Sequence, residues 1–209
     1  DILMTTTKLL GKKNIFKNLG LVIVDEEHKF GVQHKESIKK EYHLIDILSL
    51  SATPIPRTLQ LSLFNLKDLS IIHTKPKNRI PTEIFIQNED LNLVKTLILK
   101  EIARNGQVFI VHYKIDSLYA LQDKLKTILP DIIFGITHGK MPIQELETTF
   151  LDFYNKKIQV LLTTILIESG IDLPNVNTLI VFSSDRFGLA QLHQLKGRIG
   201  RGNVTSSAY

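Results

Sequence analysis

Leu21-Val22-Ile23-Val24-Asp25-Glu26 is an apolar run that ends on two adjacent carboxylates. Four consecutive apolar residues before such a turn are typical of a buried parallel strand. Carboxylates at the end of that strand suit a nucleotide-hydrolysing site, in which Asp25 would hold Mg²⁺ and Glu26 would activate a water as general base. An ordinary strand followed by a solvated acidic turn gives the same local pattern, so the stretch needs support from elsewhere in the chain.

The composition indicates a globular protein without disulfides. The chain has 209 residues, is 43% hydrophobic and contains no cysteine, which excludes disulfides and thiolate metal sites. We find no apolar run of membrane-spanning length and no signal-peptide pattern, so we expect a cytoplasmic protein. The net charge of +5 is compatible with a nucleic-acid partner, but solvated lysines in a lysine-rich protein explain it equally well.

Apolar runs alternate with stretches of helical periodicity, which predicts an α/β fold with mostly parallel sheets and helices on both faces. Strands are predicted at residues 21–25, 46–50, 69–73, 83–87, 107–112, 132–137, 158–163 and 177–182. Helices are predicted at residues 34–42, 56–65, 90–104, 115–128, 142–155 and 188–198. Both ends of the chain also read as strands, at residues 1–4 and 207–209, so we expect a fragment of a longer polypeptide.

A linker is predicted where the sequence reads Thr-Lys-Pro-Lys-Asn-Arg-Ile-Pro, at residues 74–81. This stretch combines two prolines and three basic residues with no apolar periodicity. The predicted organisation is a first domain over residues 1–74, a linker over residues 75–82 and a second domain over residues 83–209.

Small hydroxyl residues and glycines follow several of the predicted strands. Ser51-Ala52-Thr53-Pro54 could bond to carboxylates or to a phosphate, although a plain strand–turn–helix cap would read the same way. Thr164 ends another strand, and Gly170 and Asp172 lie in the loop beyond it, where ligands of open α/β sheets bind. His138-Gly139 holds the equivalent position after a third strand; a lone histidine there is usually a surface loop residue.

Two arginines close together give the sharpest local signal, in the stretch Gln194-Leu195-Lys196-Gly197-Arg198-Ile199-Gly200-Arg201. Guanidinium groups suit phosphate oxygens, and a glycine before each of Arg198 and Arg201 allows a close approach of the backbone. A basic helix C-terminus that complements the helix dipole is the alternative, but it leaves the paired glycines unexplained.

Taken in chain order, these stretches resemble the superfamily-two helicases and translocases. The closer resemblance is to the family of bacterial transcription-repair coupling factors, and it spans essentially the whole chain. RecG-type branch-migrating helicases are the nearest relatives, but they usually have Gln where this chain has Glu27. The carrying stretches are DEEHKFGV (residues 25–32), SATPIPRTL (51–59), DLSII (68–72) and FGLAQLHQL (187–195).

The resemblance implies two RecA-like lobes, the first one incomplete, that close on ATP and Mg²⁺. It implies that Asp25 holds the metal and that Glu26 activates water. His28 and Gln194 would link the nucleotide site to DNA contacts. The remaining implied roles are coupling of hydrolysis to lobe movement by Ser51 and Thr53, nucleotide contacts by Gly170 and Asp172, γ-phosphate contacts by Arg198 and Arg201 with Arg201 as the arginine finger, and DNA-backbone contacts by Thr6, Lys8, Arg57, His138, Gly139 and Thr164.

The phosphate-binding loop of such enzymes has no counterpart in the chain, because no Gly-x-x-x-x-Gly-Lys-Ser/Thr pattern occurs. That loop supplies the amide cradle and the lysine for the phosphates, and we expect it before residue 1. We therefore expect these 209 residues alone neither to bind ATP tightly nor to hydrolyse it.

The implied function is part of an ATP-dependent double-stranded-DNA translocase that removes stalled RNA polymerase in transcription-coupled repair. RNA polymerase and excision-repair proteins would bind through domains outside this chain. A RecG-type branch-migrating helicase is one alternative, and a non-catalytic nucleic-acid-binding scaffold is another. The four intact residues Asp25, Glu26, Arg198 and Arg201 argue against a scaffold.

Overall fold

A computed structural model of the chain describes residues 2–6, 19–25, 45–51, 68, 70–72, 74, 80–164, 175–200 and 204–209. The chain divides into two compact units, Asp1–Ile71 and Ile72–Tyr209, and each is described by itself. The predicted linker at residues 75–82 falls near the start of the second unit, and its boundaries remain a prediction. The helices predicted at residues 34–42 and 56–65 lie outside the described residues.

In the first unit, two short parallel strands pair with each other, β1 (Leu21–Val24) and β2 (Asp46–Ser49). Val24 lies opposite Ser49, and the N–H of Leu50 donates to the Val24 carbonyl at 2.8 Å. The two strands therefore end together, and the residues that follow them leave the sheet at the same edge. Both strands confirm the predictions from the apolar runs.

In the second unit, the described residues form a six-stranded sheet in the order β3-β8-β7-β4-β6-β5, and every neighbouring pair is parallel. The strands are β3 (Glu83–Ile84), β4 (Gln107–Val111), β5 (Phe134–Thr137), β6 (Val160–Thr163), β7 (Val176–Val181) and β8 (Ser207–Ala208). The helices are α1 (Leu91–Ala103), α2 (Ile115–Ile128), α3 (Ile143–Tyr154) and α4 (Leu189–Lys196), with a 3₁₀ turn at Ser184–Arg186.

Successive residues of the central strand β4 face opposite sides of the sheet, and each side carries its own hydrophobic core. Val108 and Ile110 pack in one core with side chains of α1 and α2. Phe109 and Val111 pack in a second core with side chains of α3 and α4. All four are essentially inaccessible to solvent, and burial of a side chain such as Phe109 contributes about 1.5–3 kcal/mol. The continuous apolar run of β4 thus reflects a strand covered on both faces, as the α/β prediction required.

Two strand predictions were wrong. Residues 2–4 and 70–72, the described parts of the strands predicted at 1–4 and 69–73, are not in strands. Their apolar side chains are strongly exposed, at 96% for Ile2 and 92% for Ile72. A strand needs a partner for its backbone groups, and neither stretch has one among the described residues. The strand predicted to begin at residue 207 is confirmed as β8.

No helix in the described part of the chain has the length and apolar character needed to cross a membrane.

Candidate functional site

The first unit places two predicted residues at one edge of its small sheet. Asp25 comes directly after β1, Ser51 comes after β2 with one residue between, and both are exposed. Because the two strands are parallel and in register, both residues lie at the carboxyl edge, where ligands of α/β sheets bind. Both also make interactions within the structure.

Asp25 offers the chemistry that Mg²⁺ prefers, a carboxylate at an accessible position. Mg²⁺ is commonly held by one or two carboxylates together with water and substrate phosphates. The described residues contain no group of three or more His, Asp or Glu side chains that could hold a metal by themselves. A single accessible carboxylate therefore fits a metal shared with a nucleotide, and the described residues form no all-protein cage.

Several other predicted site residues lie outside the described residues. These are Lys8, Glu26, His28, Thr53, Arg57, Gly170, Asp172 and Arg201. Thr6 is described, is exposed and receives a hydrogen bond on its carbonyl from the Thr5 hydroxyl at 3.2 Å.

In the second unit, the strands β4, β5 and β6 end level with one another. The N–H of His112 donates to the Thr163 carbonyl at 3.0 Å, and the N–H of Thr164 donates to the Thr137 carbonyl at 3.3 Å. The loops after these strands therefore begin at one edge. The structure brings the predicted residues His138, Gly139 and Thr164 together at this carboxyl edge.

His138 itself faces inward, which sequence reasoning did not anticipate. It is only 7% exposed, and its Nε2 lies 3.0 Å from the Tyr119 hydroxyl. The backbone N–H of Lys140 donates to His138 Nδ1 at 3.3 Å, so Nδ1 is the acceptor and Nε2 carries the proton toward Tyr119. Both ring nitrogens are therefore hydrogen-bonded, and the imidazole stabilises the turn that begins at His138. Gly139 and Lys140 are exposed at the tip of this turn.

Tyr113 forms an exposed aromatic platform near two cations at the same edge. Its ring stacks on His112 with centroids 5.0 Å apart. Lys114 Nζ lies 5.3 Å from the ring centroid, and the Arg186 guanidinium carbon lies 5.9 Å from it. Cation–π attraction of this kind is worth about 0.5–1 kcal/mol at an exposed site, so the cations stay near the ring while keeping their charge accessible.

His112 lies partly buried behind this platform. Burial lowers the pKa of its imidazole below the ordinary value, while the negative charge of Glu89 acts to raise it. The N–H of Lys114 donates to His112 Nδ1 at 3.1 Å. The neutral ring is therefore the favoured form, and it supports Tyr113 without adding charge to the surface.

A cleft of about 390 Å³ opens at this edge, and we call it the carboxyl-edge cleft. It is lined by Tyr113, Ile115, Gly139, Lys140, Thr164, Arg186, Phe187 and Gln191. Two of these were predicted site residues, Gly139 and Thr164. The others were not predicted as site residues, although Lys140 adjoins Gly139, Phe187 and Gln191 lie in the stretch at residues 187–195, and Arg186 stands one residue before it.

The arginine motif begins at the C-terminal end of α4. The N–H of Gly197 donates to the His193 carbonyl and the N–H of Arg198 donates to the Leu195 carbonyl, both at 3.0 Å, so the last turn extends to Arg198. Gln194 and Arg198 are each partly buried, and both make interactions within the structure. They are four residues apart along this turn, which brings two predicted site residues onto neighbouring positions.

The two glycines of the motif differ in their backbone. Gly197 has φ −67°, which any residue adopts. Gly200 has φ +67°, and a Cβ at this position would lie 2.2 Å from the Ser206 hydroxyl oxygen. Gly200 therefore lacks a side chain for the packing of Ser206, and an approach of the backbone to a phosphate at the paired glycines stays a prediction.

Comparison with protein families gives two matches in chain order. Residues 1–62 match the family described as DEAD/DEAH box helicase, and residues 89–203 match the family described as helicase conserved C-terminal domain. The transcription-repair-coupling factors of Staphylococcus aureus strain USA300 and of Staphylococcus epidermidis are each 46% identical to the chain over all 209 residues. The chain spans 18% of the length of these relatives.

Solved structures show the same fold. RecG bound to a three-way DNA junction matches with a TM-score of 0.67 and 35% identity, covering 92% of this chain and 26% of RecG. The L327V variant of S. cerevisiae Dbp5 bound to RNA and ADP BeF3 matches with a TM-score of 0.64 and 18% identity, covering 97% of this chain and 56% of that chain, and supports the fold alone. The RecA-like α/β prediction is thus confirmed, and the chain belongs to the helicase family that carries the conserved helicase C-terminal domain.

Proposed function

We propose that this chain is part of an ATP-dependent double-stranded-DNA translocase that removes stalled RNA polymerase in transcription-coupled repair. The observation that carries the proposal is the whole-chain similarity to the staphylococcal transcription-repair-coupling factors. RNA polymerase and excision-repair proteins would bind through other parts of the full-length protein. A cytoplasmic location belongs to the same proposal, since both DNA and polymerase are bacterial cytoplasmic components.

The nucleotide roles follow the order of the motifs. Asp25 would hold Mg²⁺, which would neutralise charge on the phosphates of bound ATP. Glu26 would orient and deprotonate the attacking water, and Arg198 and Arg201 would stabilise negative charge on the γ-phosphoryl group. Gly170 and Asp172 would contact the nucleotide. Ser51 and Thr53, with His28 and Gln194, would couple nucleotide hydrolysis to DNA contacts.

The DNA-backbone contacts would centre on the carboxyl-edge cleft of the second unit. Exposed cations at Lys114, Lys140 and Arg186 supply positive charge there, and Thr164 supplies a polar group. Phosphate contacts of this type carry no base information, which suits an enzyme that moves along any sequence. The burial of His138 makes it a positioning residue in this proposal, because its ring holds the turn that presents Gly139 and Lys140. Thr6, Lys8 and Arg57 would make further backbone contacts.

The chain by itself would lack catalysis. Without a phosphate-binding loop there is no lysine and no amide cradle for the nucleotide, so tight ATP binding and turnover require more than these 209 residues. A steady-state ATPase rate of the isolated chain equal to that of the full-length protein would contradict this part of the proposal.

The test of the nucleotide roles is DNA-stimulated ATP hydrolysis by the full-length protein. We expect Glu26→Gln to abolish turnover while ATP binding persists, and Arg201→Ala to lower kcat by about 10³-fold or more. Lys157→Ala is the control. Lys157 is an exposed cation that precedes β6 and pairs with Asp152, and it is not among the proposed site residues. Wild-type rates in both site variants would refute the roles.

A RecG-type branch-migrating helicase is the second candidate, favoured by the similarity to RecG bound to a three-way DNA junction. Both candidates share the same nucleotide chemistry, so ATPase assays do not separate them. Displacement of a stalled transcription complex would favour the coupling factor. Branch migration of a protein-free DNA junction without polymerase displacement would favour the RecG-type enzyme.

A further inference from the structure

Three buried residues flank Arg201 in the sequence, two at the end of the arginine motif and one after it. Ile199 is fully buried in the core shared with α3 and α4. The N–H of Gly200 donates to the carbonyl of Val176, at the start of β7, at 3.2 Å. Ser206, on the other side of Arg201, is also fully buried. Gly200, the residue directly before Arg201 in the sequence, is therefore anchored in the core, and so is Ser206.

A pair of hydroxyl groups joins this segment to the start of the second unit. Ser206 Oγ lies 2.8 Å from Thr82 Oγ1, and the N–H of Glu83 donates to the Ser206 carbonyl at 3.0 Å. Thr82 is the last residue of the predicted linker, and β3 begins at the next residue. Thr82 and Glu83, at the start of this sheet, are thus both hydrogen-bonded to Ser206.

Gly200 faces this hydroxyl pair. A Cβ at position 200 would lie 2.2 Å from Ser206 Oγ and 3.4 Å from Thr82 Oγ1, and the φ of +67° disfavours any other residue. The three residues pack against one another, and the two hydroxyl groups fill the space that a side chain at residue 200 would need. We call Thr82, Gly200 and Ser206 the hydroxyl clasp.

A second contact supports the return of the chain. Arg104 Nη1 donates to the Thr205 carbonyl at 3.1 Å, and the same guanidinium pairs with the buried Glu101 carboxylate on α1. The residue before Ser206 is therefore tied to the helix layer, independently of the clasp.

We infer that the hydroxyl clasp positions Arg201 for ATP hydrolysis, because it holds Gly200, the residue directly before Arg201, against Thr82, the last residue of the predicted linker. The inference rests on the proposed function, since it assigns Thr82, Gly200 and Ser206 as positioning residues for that reaction. A strain or displacement of the linker would reach Arg201 through the Thr82–Ser206 hydrogen bond. None of the three would touch the nucleotide.

The test uses the full-length protein and four variants: Thr82→Val, Ser206→Ala, the combined Thr82→Val/Ser206→Ala, and Thr96→Val. Thr82→Val keeps the shape of the side chain and removes the hydroxyl. Thr96→Val makes the same change at an exposed threonine of α1, whose hydroxyl bonds only to the Asn92 carbonyl in its own helix. DNA-stimulated kcat, KM for ATP and thermal unfolding are measured for each.

We expect Thr82→Val and Ser206→Ala each to lower kcat by about three- to tenfold, the range for loss of one hydrogen bond, with KM for ATP within about twofold. The combined variant should lose no more than the worse single variant, because both remove one interaction. Thr96→Val should retain the wild-type kcat. A lower unfolding temperature with unchanged kcat would show a merely structural role and overturn the inference, as would multiplicative losses in the combined variant.

A second test introduces a clash at Gly200 and then relieves it with a change at Ser206. Gly200→Ala should lower kcat more than either hydroxyl variant, because the new methyl group meets Ser206 Oγ. Adding Ser206→Gly removes that contact and should restore part of the lost kcat; a further loss instead of a gain would contradict the clasp. Arg201→Ala distinguishes a failure of the clasp from a failure of the proposed function. If Arg201→Ala abolishes hydrolysis while all clasp variants are unaffected, the clasp is wrong and the proposed function stands; if the wild type does not hydrolyse ATP on DNA, both fail.

Discussion

Removal of two cations from the carboxyl-edge cleft should change how DNA binding depends on salt. Lys140 and Arg186 both line the cleft and are exposed, and the Arg186 side chain makes an ion pair with Asp185 at 3.4 Å beside its contact with the Tyr113 ring. Such a solvated pair is worth about 0–1 kcal/mol, so Arg186 can exchange Asp185 for a phosphate at little cost. The perturbation is the double variant Lys140→Ala/Arg186→Ala in the full-length protein.

The expected magnitude follows from counterion release. Each phosphate contact contributes about 0.9 to the slope of log affinity against log salt, so two lost contacts lower the slope by about 1.8. Between about 50 and 200 mM salt, the affinity of the double variant should therefore fall about tenfold less than that of the wild type. The assay is fluorescence anisotropy with a labelled duplex, without nucleotide, across that salt range.

A control of equal charge lies on the opposite edge of the same sheet. Lys156 and Lys157 precede the start of β6, are exposed, and Lys157 pairs with Asp152 at 2.8 Å. Lys156→Ala/Lys157→Ala changes the net charge of the protein by the same amount. Equal slopes for the two double variants would show that only overall charge matters, and would refute a contact at the cleft.

Two further predictions concern the scaffold behind the site. Glu101→Ala should lower the free energy of unfolding by about 3–5 kcal/mol. The Glu101 side chain is 1% exposed, and its carboxylate accepts hydrogen bonds from Arg104, Asn177 and Thr178. Glu147→Ala, on the exposed surface of α3, is the control and should change the free energy of unfolding by less than about 0.5 kcal/mol. Urea denaturation followed by circular dichroism measures both, and equal losses would contradict the buried network. Stability should also decline as pH falls below about 6.5, because burial lowers the pKa of His112 and the unfolded chain then binds this proton first. His112→Asn should remove that part of the decline in thermal unfolding scans, and an unchanged pH profile would contradict the assignment.

Local sequence patterns predicted the regular elements of the second unit closely, because those elements are decided by burial and by turns. The helix predicted at residues 115–128 is α2 with the same bounds. The helix predicted at 90–104 is α1, which begins after Asp90, whose carboxylate accepts from the N–H of Asn92 at 2.8 Å. An N-cap of this kind is a local signal that sequence carries well.

Strand predictions failed where pairing depends on distant residues. The apolar run around Ile71 and Ile72 has the composition of a strand, but the described residues offer it no neighbour, and Ile72 remains exposed. By contrast, β3 pairs with β8, more than 120 residues later in the chain. No local pattern reports whether such a partner exists.

The site was only partly accessible to sequence reasoning for the same reason. Thr164 and Gly139 could be placed because ligands of parallel sheets bind at the carboxyl ends of strands. The contact between Tyr113 and Arg186 joins residues on different strand ends, and neither stands out locally. The inward orientation of His138 depends on Tyr119, which lies on the preceding helix.

We propose that the full-length protein uses ATP to move on DNA against RNA polymerase. The direct measurement is release of a nucleotide-starved transcription elongation complex from linear duplex DNA, with ATP, by the wild type and by Glu26→Gln. We predict ATP-dependent release by the wild type and retention of the complex with Glu26→Gln. A wild-type protein that hydrolyses ATP on duplex DNA but leaves the elongation complex in place would contradict the claim.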